Sequence, residues 1–401
     1  MMESRRFNGQ RLKQALQFRG IRMTDLANRL NISKQSLSLY ANGENIPPFE
    51  NVVKIANELE FPLEFFITED VSTVITDNTY FRSQASASKI SQNAQKIKLE
   101  YVAKVYEVFL NFVNFPVKHL PPVNLVLSDN PLEVDLPESI NRIENIVKSV
   151  RDFWKVGMGP IENLQFLLES NGIIITGFQD VDSTIDAFSQ RIQINKQESV
   201  FIVALALGDK PNVRLRFDMA HELGHILLHE WDENNEYLSK DEFNAREKQA
   251  NLFASSLLLP RETFGEDVAP YATNIEYYRS LRKKWGVSMQ AMMYRARQLG
   301  YITSNQFQYM MRTVAAKGWR THEPGDTPGI LNSTIFQGAV DVLFDGGYLS
   351  SATLLDAFHK NGIYLSQIDL EDILGLLPGT LAVESKVIPF VIPNIKQDNR
   401  T

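Results

Sequence analysis

Apolar and polar positions follow a helical period over most of this chain. Leu12, Leu16 and Phe18 mark an amphipathic helix that stops at Gly20, a residue suited to a left-handed C-terminal cap. Leu26, Ala27 and Leu30 mark a short second helix. A third starts after Asn31-Ile32-Ser33, with Ser33 as N-cap, Leu37 facing inward and Gly43 as the closing cap. A fourth runs from about Phe49 to Leu59, after the Pro47-Pro48 break. A long pattern from about Lys89 to Phe112 carries Ile97, Tyr101, Val105, Val108 and Phe109. At 1.5 Å per residue it spans about 35 Å and reads as a connector, as a dimer seam, or as a helix packed on its own chain. Phe115-Pro116, Pro121-Pro122 and the acidic stretch 129–138 mark the next boundary.

Beyond Pro137 the period changes. Ile140, Ile143, Ile146, Val147, Val150 and Phe153 line one helix face, and Ile161–Ser170 reads as a second helix. Short β-rich runs follow at Gly172–Gly177, Ser183–Phe188, Arg191–Ile194 and Val200–Ala206. They predict a small antiparallel sheet, whose edge could hold an extended peptide. Helical patterns return at about Val213–Glu230 and from Glu247 to Pro260. The last eighty residues open on the turn-rich 318–326, continue with short helices near Thr334–Phe344, Ser350–His359 and Ile368–Leu376, and reach an apolar extended piece, Val387–Ile392.

Two short helices joined by a tight turn are the skeleton of a helix-turn-helix. Its second helix would offer Lys34, Gln35, Ser36 and Ser38 to a major groove, with Arg22 nearby as a further DNA contact. Gln pairs with adenine edges, while Lys and Ser bond phosphates or bases. Charge supports this. Residues 1–40 hold eight basic side chains (Arg5, Arg6, Arg11, Lys13, Arg19, Arg22, Arg29, Lys34) and two acidic ones (Glu3, Asp25), a local net of +6. The whole 401-residue chain is at −7, so one end alone is expected to face nucleic acid. The absence of cysteine excludes disulfides and thiolate metal sites and suggests a reducing compartment. No apolar run resembles a signal or a membrane span, so a cytoplasmic protein without membrane contact is expected.

Three of the six histidines fall within His221–His229. His221-Glu222-Leu223-Gly224-His225 places two imidazoles four residues apart, on one helical face. Two such rings can hold one Zn²⁺, with the glutamate beside the first as general base for hydrolysis. A catalytic zinc needs a third protein ligand. Position 231, where a further histidine would serve, is Trp231, and His229 sits one turn along the same helix as a supporting or packing residue. The third ligand is sought downstream, at Glu247 or its rival Glu242. Arg295 and Tyr294 are candidates for holding the oxyanion of the transition state, Arg295 being equally suited to a structural salt bridge.

Two resemblances sharpen this reading. The run Gly20-Ile21, Asp25-Leu26-Ala27, Leu30-Asn31-Ile32-Ser33, Leu37-Ser38, Tyr40-Ala41-Asn42-Gly43 and Pro47 resembles the Cro/cI (Xre) family of DNA-binding domains over about 8–69. Met23 stands where that family usually has a glutamine bonding the DNA backbone, so one phosphate contact is missing. Arg216-Phe217, Ala220-His221-Glu222-Leu223-Gly224-His225 and His229 form the first block of a second resemblance. Glu247, Ala250-Asn251, Phe253-Ala254 and Leu258-Leu259-Pro260 form its second block, and Val287-Ser288, Ala291, Arg295 and Leu299-Gly300 its third. In that order and spacing they resemble the ImmA/IrrE metallopeptidases over about 138–320. That resemblance implies a gluzincin-like α+β fold, one Zn²⁺ per chain held by His221, His225 and Glu247, and Glu222 as catalytic base.

The expected architecture is multidomain and mainly α. A helix-turn-helix domain spans 1–70, a helical connector 71–136, the zinc peptidase domain 137–320 and a small helical region 321–401. The expected function is a regulator that binds a double-stranded DNA operator as a homodimer. Its endopeptidase would cleave a small repressor, an antitoxin-like protein or itself in a signalled, stress-type response. The alternative is a regulator whose zinc domain is a non-proteolytic sensor or partner-binding module.

Overall fold

The computed structural model describes residues 7–69, 75–81, 88–123, 127, 130, 132–178, 187–194, 198–231, 238–331 and 334–383. Four helices open the chain: α1 (Gly9–Arg19), α2 (Met23–Leu30), α3 (Lys34–Ala41) and α4 (Phe49–Leu59). Strand β1 (Ile75–Phe81) and the long α5 (Lys89–Phe109) follow. Then come α6 (Pro137–Phe153), α7 (Leu164–Ser170), β2 (Ile173–Phe178), β3 (Ala187–Ile194) and β4 (Glu198–Ala206). The metal-motif helix is α8 (Asn212–Leu228), and α9 (Lys240–Leu258) packs on it. Helices α10 (Arg261–Val268), α11 (Ile275–Trp285), α12 (Met289–Gln298) and α13 (Ser304–Ala316) complete this half, and α14 (Ile335–Asp345), α15 (Ser351–Lys360) and α16 (Gln367–Leu374) end it. The extended piece expected at Val387–Ile392 lies outside the described residues, as do positions 183–186 of one strand candidate.

The sheet is mixed: β1–β3 and β3–β4 pair antiparallel as expected, and one pairing departs from that. Its order is β1-β3-β4-β2, and β2 pairs with β4 in parallel, from Ile173↔Phe201 to Phe178↔Ala206. The physical reason lies in β2 itself. Ile173–Phe178 is buried at every position, and a strand covered on both faces reads as a continuous apolar run. Helix α7 packs against it, and so does α16, whose Ile373 carbonyl accepts the Thr176 hydroxyl at 2.5 Å. Ala187–Phe188 and Arg191–Ile194, from two separate strand candidates, belong with Ser189 and Gln190 to one strand, β3. Strand β1 was not expected at all, because Asp77 and Asn78 interrupt its apolar pattern.

The sheet divides two hydrophobic cores. Ile174, Phe178, Phe188, Ile192, Ile202 and Ala204 enter one core with α1–α5 and α14–α16. Ile173, Ile175, Phe201, Val203 and Leu205 enter the other with α6–α13. The two-residue period of a strand makes this sorting automatic. Helix α5 therefore differs from a free connector or dimer seam. Leu99, Tyr101, Val102, Ala103 and Val105 are fully buried around its circumference, against α1 on one side and the sheet on another. The C-terminal helices likewise share a core with the N-terminal ones. Arg11 is buried and donates to the Gly362 carbonyl at 3.0 Å, and Arg19 forms a two-pronged pair with Asp369. Two of the eight basic residues counted for DNA thus hold the molecule together instead.

Glu169 ends α7 buried, accepting from the Ile335 amide at 3.0 Å and the Gln165 side chain at 3.4 Å. Burial pushes its pKa up to about 7, against those two hydrogen bonds. The folded chain therefore holds this proton more tightly than the unfolded one. Stability falls as pH rises from about 4.5 to about 7, and the cost is fully present above that window. Glu169→Gln should raise the unfolding free energy measured in urea at pH 8, by on the order of 3 kcal/mol at most, and leave it near the wild-type value at pH 4.5.

Candidate metal centre and DNA-facing helix

The metal motif lies on the buried stretch of α8, with His221 and Glu222 at 0% exposure and His225 at 1%. Gly224 lets α9 come close. A Cβ there would sit 3.1 Å from the Ala250 Cα and 3.2 Å from the Phe253 ring. That approach brings Glu247 of α9 opposite the two rings. Its Oε1 lies 3.2 Å from His225 Nε2 and its Oε2 3.5 Å from His221 Nε2. The two Nε2 atoms are 2.9 Å apart. One ligand atom from each of the three residues falls within 4.8 Å of the others, so the group could hold a metal ion. Burial would raise the Glu247 carboxyl, but hydrogen bonds from His221 and His225 and their nearby charge hold it far below the usual carboxylate range. Glu247 is thus an ionised donor. Two imidazole nitrogens and one carboxylate oxygen, on a chain without thiols, fit zinc by donor chemistry.

Glu242 takes no part in this group. It sits in the first turn of α9, where its side chain accepts from the Ser239 amide at 2.7 Å and completes a capping box.

Two residues that the motif did not reveal complete the surroundings. Ser189 of β3 donates its hydroxyl to Glu222 Oε2 at 2.6 Å. Gln249 of α9 meets His229 Nε2 at 3.0 Å. His229 caps α8 with an extended backbone, so its ring returns to place Nδ1 2.9 Å from His225 Nδ1. Burial, then the neighbouring His225, lowers its pKa well below the ordinary histidine value, so the ring is neutral. Gln249, His229 and His225 thus form a chain behind the metal-facing nitrogen. Such outer partners orient a ligand ring. Replacing His229 by Ala should weaken metal binding about 10–100-fold in a chelator competition while the protein stays folded.

The two residues considered for the oxyanion, Arg295 and Tyr294, stand in different surroundings. Arg295 is 1% exposed, bonded to the Leu259 carbonyl, Gln298 and Glu144. It ties α12 to α6 and to the end of α9. Tyr294 is half exposed, packs on Phe307 and lines a cavity of about 1020 Å³ with Phe217, Asn251 and Leu252. Phe217 precedes His221 by four residues and Asn251 follows Glu247 by four, so this cavity begins one helical turn from the ligands.

At the other end of the molecule, Ser33 caps α3 by accepting from the Ser36 amide at 3.0 Å. Leu37 is buried, while Lys34, Gln35, Ser38 and Arg22 are exposed and Ser36 is half-buried. Asn31 turns the chain between α2 and α3 in the left-handed region. Met23 opens α2, half-buried. The exposed face of α3 is therefore polar with one cation.

Among the described residues, no helix is long and apolar enough to cross a membrane. No curated protein matches the chain. Residues 12–66 match the helix-turn-helix family, and residues 202–297, from β4 through most of α12, match the peptidase M78 family, the IrrE N-terminal-like domain. One polypeptide thus joins a DNA-binding helix-turn-helix region to an IrrE-like peptidase-family region.

Proposed function

We propose that this chain is a cytoplasmic transcriptional regulator carrying a zinc-dependent endopeptidase, which cleaves a repressor- or antitoxin-like protein. The observation that carries the proposal is the convergence of His221, His225 and Glu247 beside the buried Glu222. His221, His225 and Glu247 would hold the zinc ion, which would supply a Lewis acid for a peptide carbonyl and for water. Glu222 takes the proton of the attacking water and passes it to the leaving amine. Ser189 fixes one oxygen of that carboxylate, so the base meets its substrate in a set orientation. His229 and Gln249 keep His225 aimed at the ion.

At the DNA end, Lys34, Gln35, Ser36 and Ser38 would read an operator, with Arg22 on the backbone. Two half-sites one turn apart would call for two copies of the chain. Arg22→Ala should weaken binding to promoter DNA evenly across sequences and make the log–log salt slope shallower by about one.

The peptidase half is tested by mixing the zinc-loaded protein with the small helix-turn-helix repressors encoded beside it. Cleavage of one at a single site is the expected result. If every one stays intact with zinc bound, the endopeptidase reading fails. The zinc domain is then a non-proteolytic sensor, a reading favoured by the zero exposure of His221 and Glu222.

A further inference from the structure

Strand β3 lies directly beside the metal centre, because its Ser189 hydroxyl touches Glu222 at 2.6 Å. One edge of β3 is fully paired with β4, in eight consecutive partners from Ala187↔Leu205 to Ile194↔Glu198. The other edge would be open to an extended polypeptide. In this structure β1 holds it, antiparallel, with Thr79↔Gln190, Tyr80↔Ser189 and Phe81↔Phe188. The residue opposite Ser189 is thus Tyr80, and facing Cα atoms in such a ladder are about 4.5–5.5 Å apart.

We infer that the outer edge of β3 is the docking edge for extended polypeptide at the metal centre, and that β1 is its resident occupant. A peptide paired there runs past Ser189, whose hydroxyl touches the general base. Main-chain pairing to a sheet edge holds a segment of almost any sequence, as a protein-cleaving site requires. The occupant is held by the shorter and less regular ladder. The β1–β3 ladder has five partners to the eight of β3–β4, and its register breaks between Thr76 and Thr79. The break falls on Asp77 and Asn78, residue types depleted from strands, whereas β4 reads Val-Phe-Ile-Val-Ala-Leu. Strand β1 also follows the helix-turn-helix region at once, before α5. Displacing it therefore moves the segment that tethers the DNA-facing helices. For its enzymatic meaning the inference rests on the peptidase reading. The docking itself does not.

The test uses the full chain and a fluorescein-labelled heptapeptide with the sequence Ile75–Phe81. Neighbouring residues of a strand point their N–H groups to opposite sides, so of Thr79→Pro and Tyr80→Pro only one removes a bond to β3. The other is its control. The ladder-breaking variant should bind the peptide at least tenfold more tightly than wild type by fluorescence anisotropy. Its amides at 187–194 should exchange with deuterium faster without peptide and slow again with it. Asn78→Val, which favours the strand, should slow that exchange relative to wild type. Equal peptide binding by wild type and both proline variants, or unchanged exchange in Asn78→Val, overturns the inference. Labelled casein separates the two readings. Cleavage that neither proline alters refutes the docking edge and leaves the peptidase standing. Peptide binding that opens as expected, with casein intact in every variant, refutes the peptidase and leaves the docking edge.

Discussion

Glu222→Gln should lower hydrolysis of a protein substrate about a thousandfold and leave the bound metal in place. The side chain has no exposure, and Ser189 is a hydrogen-bond partner at 2.6 Å. An amide of the same shape fills the same space and can still accept from that hydroxyl. It cannot take a proton from water, and a positioned general base contributes roughly 10²–10⁴-fold. The measurement is a pair: metal per chain by elemental analysis and initial rate on the cleaved repressor. A rate within tenfold of wild type at full metal content would remove Glu222 from the mechanism. A melting temperature well below wild type would mean that the buried carboxylate supports the fold, and the rate would then be compared at a temperature where both are folded.

Glu247→Ala should bring the metal content from about one per chain to near zero after dialysis. Glu247 is the only one of the three grouped residues that comes from α9, and the only one carrying charge when the rings are neutral. Its loss leaves two imidazole nitrogens 2.9 Å apart with no anion beside them. The affinity loss should exceed the roughly hundredfold that the loss of an outer partner can cause. Glu242→Ala is the matched control. It removes a carboxylate from the same helix, one that caps Ser239 instead, and should leave the metal content unchanged. Metal retained by Glu247→Ala and lost from Glu242→Ala would reverse the roles of the two residues.

The contrast between these glutamates shows what a sequence can carry. His221, Glu222 and His225 sit within one helical turn, so spacing alone determines that they share a neighbourhood. The helix-turn-helix is equally local. Ser33, Leu37 and Gly43 act through contacts a few residues away. Choosing Glu247 over Glu242 took the resemblance, because both fit an acidic position near the start of one helix. Ser189 and Gln249 had no signal. They reach the site across 33 and 20 residues, through a sheet and a helix pair that single positions do not announce. Arg295 carried two readings in the sequence, an oxyanion donor and a structural salt bridge. Only its burial and its pairing with Glu144, on a helix distant in the chain, display the second of these. The parallel pairing of β2 and the presence of β1 were hidden for the same reason, since both depend on partners distant in the chain.

The dividing sheet also bears on how such a regulator can change over generations. Because one side of the N-terminal helices is fixed to α5 and to the loop and helix at Gly362 and Asp369, that side cannot drift without breaking a core. The outward positions of α3 are under no such constraint. On the reading proposed above, operator preference would be rewritten at these exposed positions, Lys34, Gln35 and Ser38, one substitution at a time. Exchange of the whole four-helix unit for that of another regulator would fail unless Arg11, Phe18 and Arg19 came with it. New DNA specificity would then be open to point mutation and closed to recombination at the obvious seam.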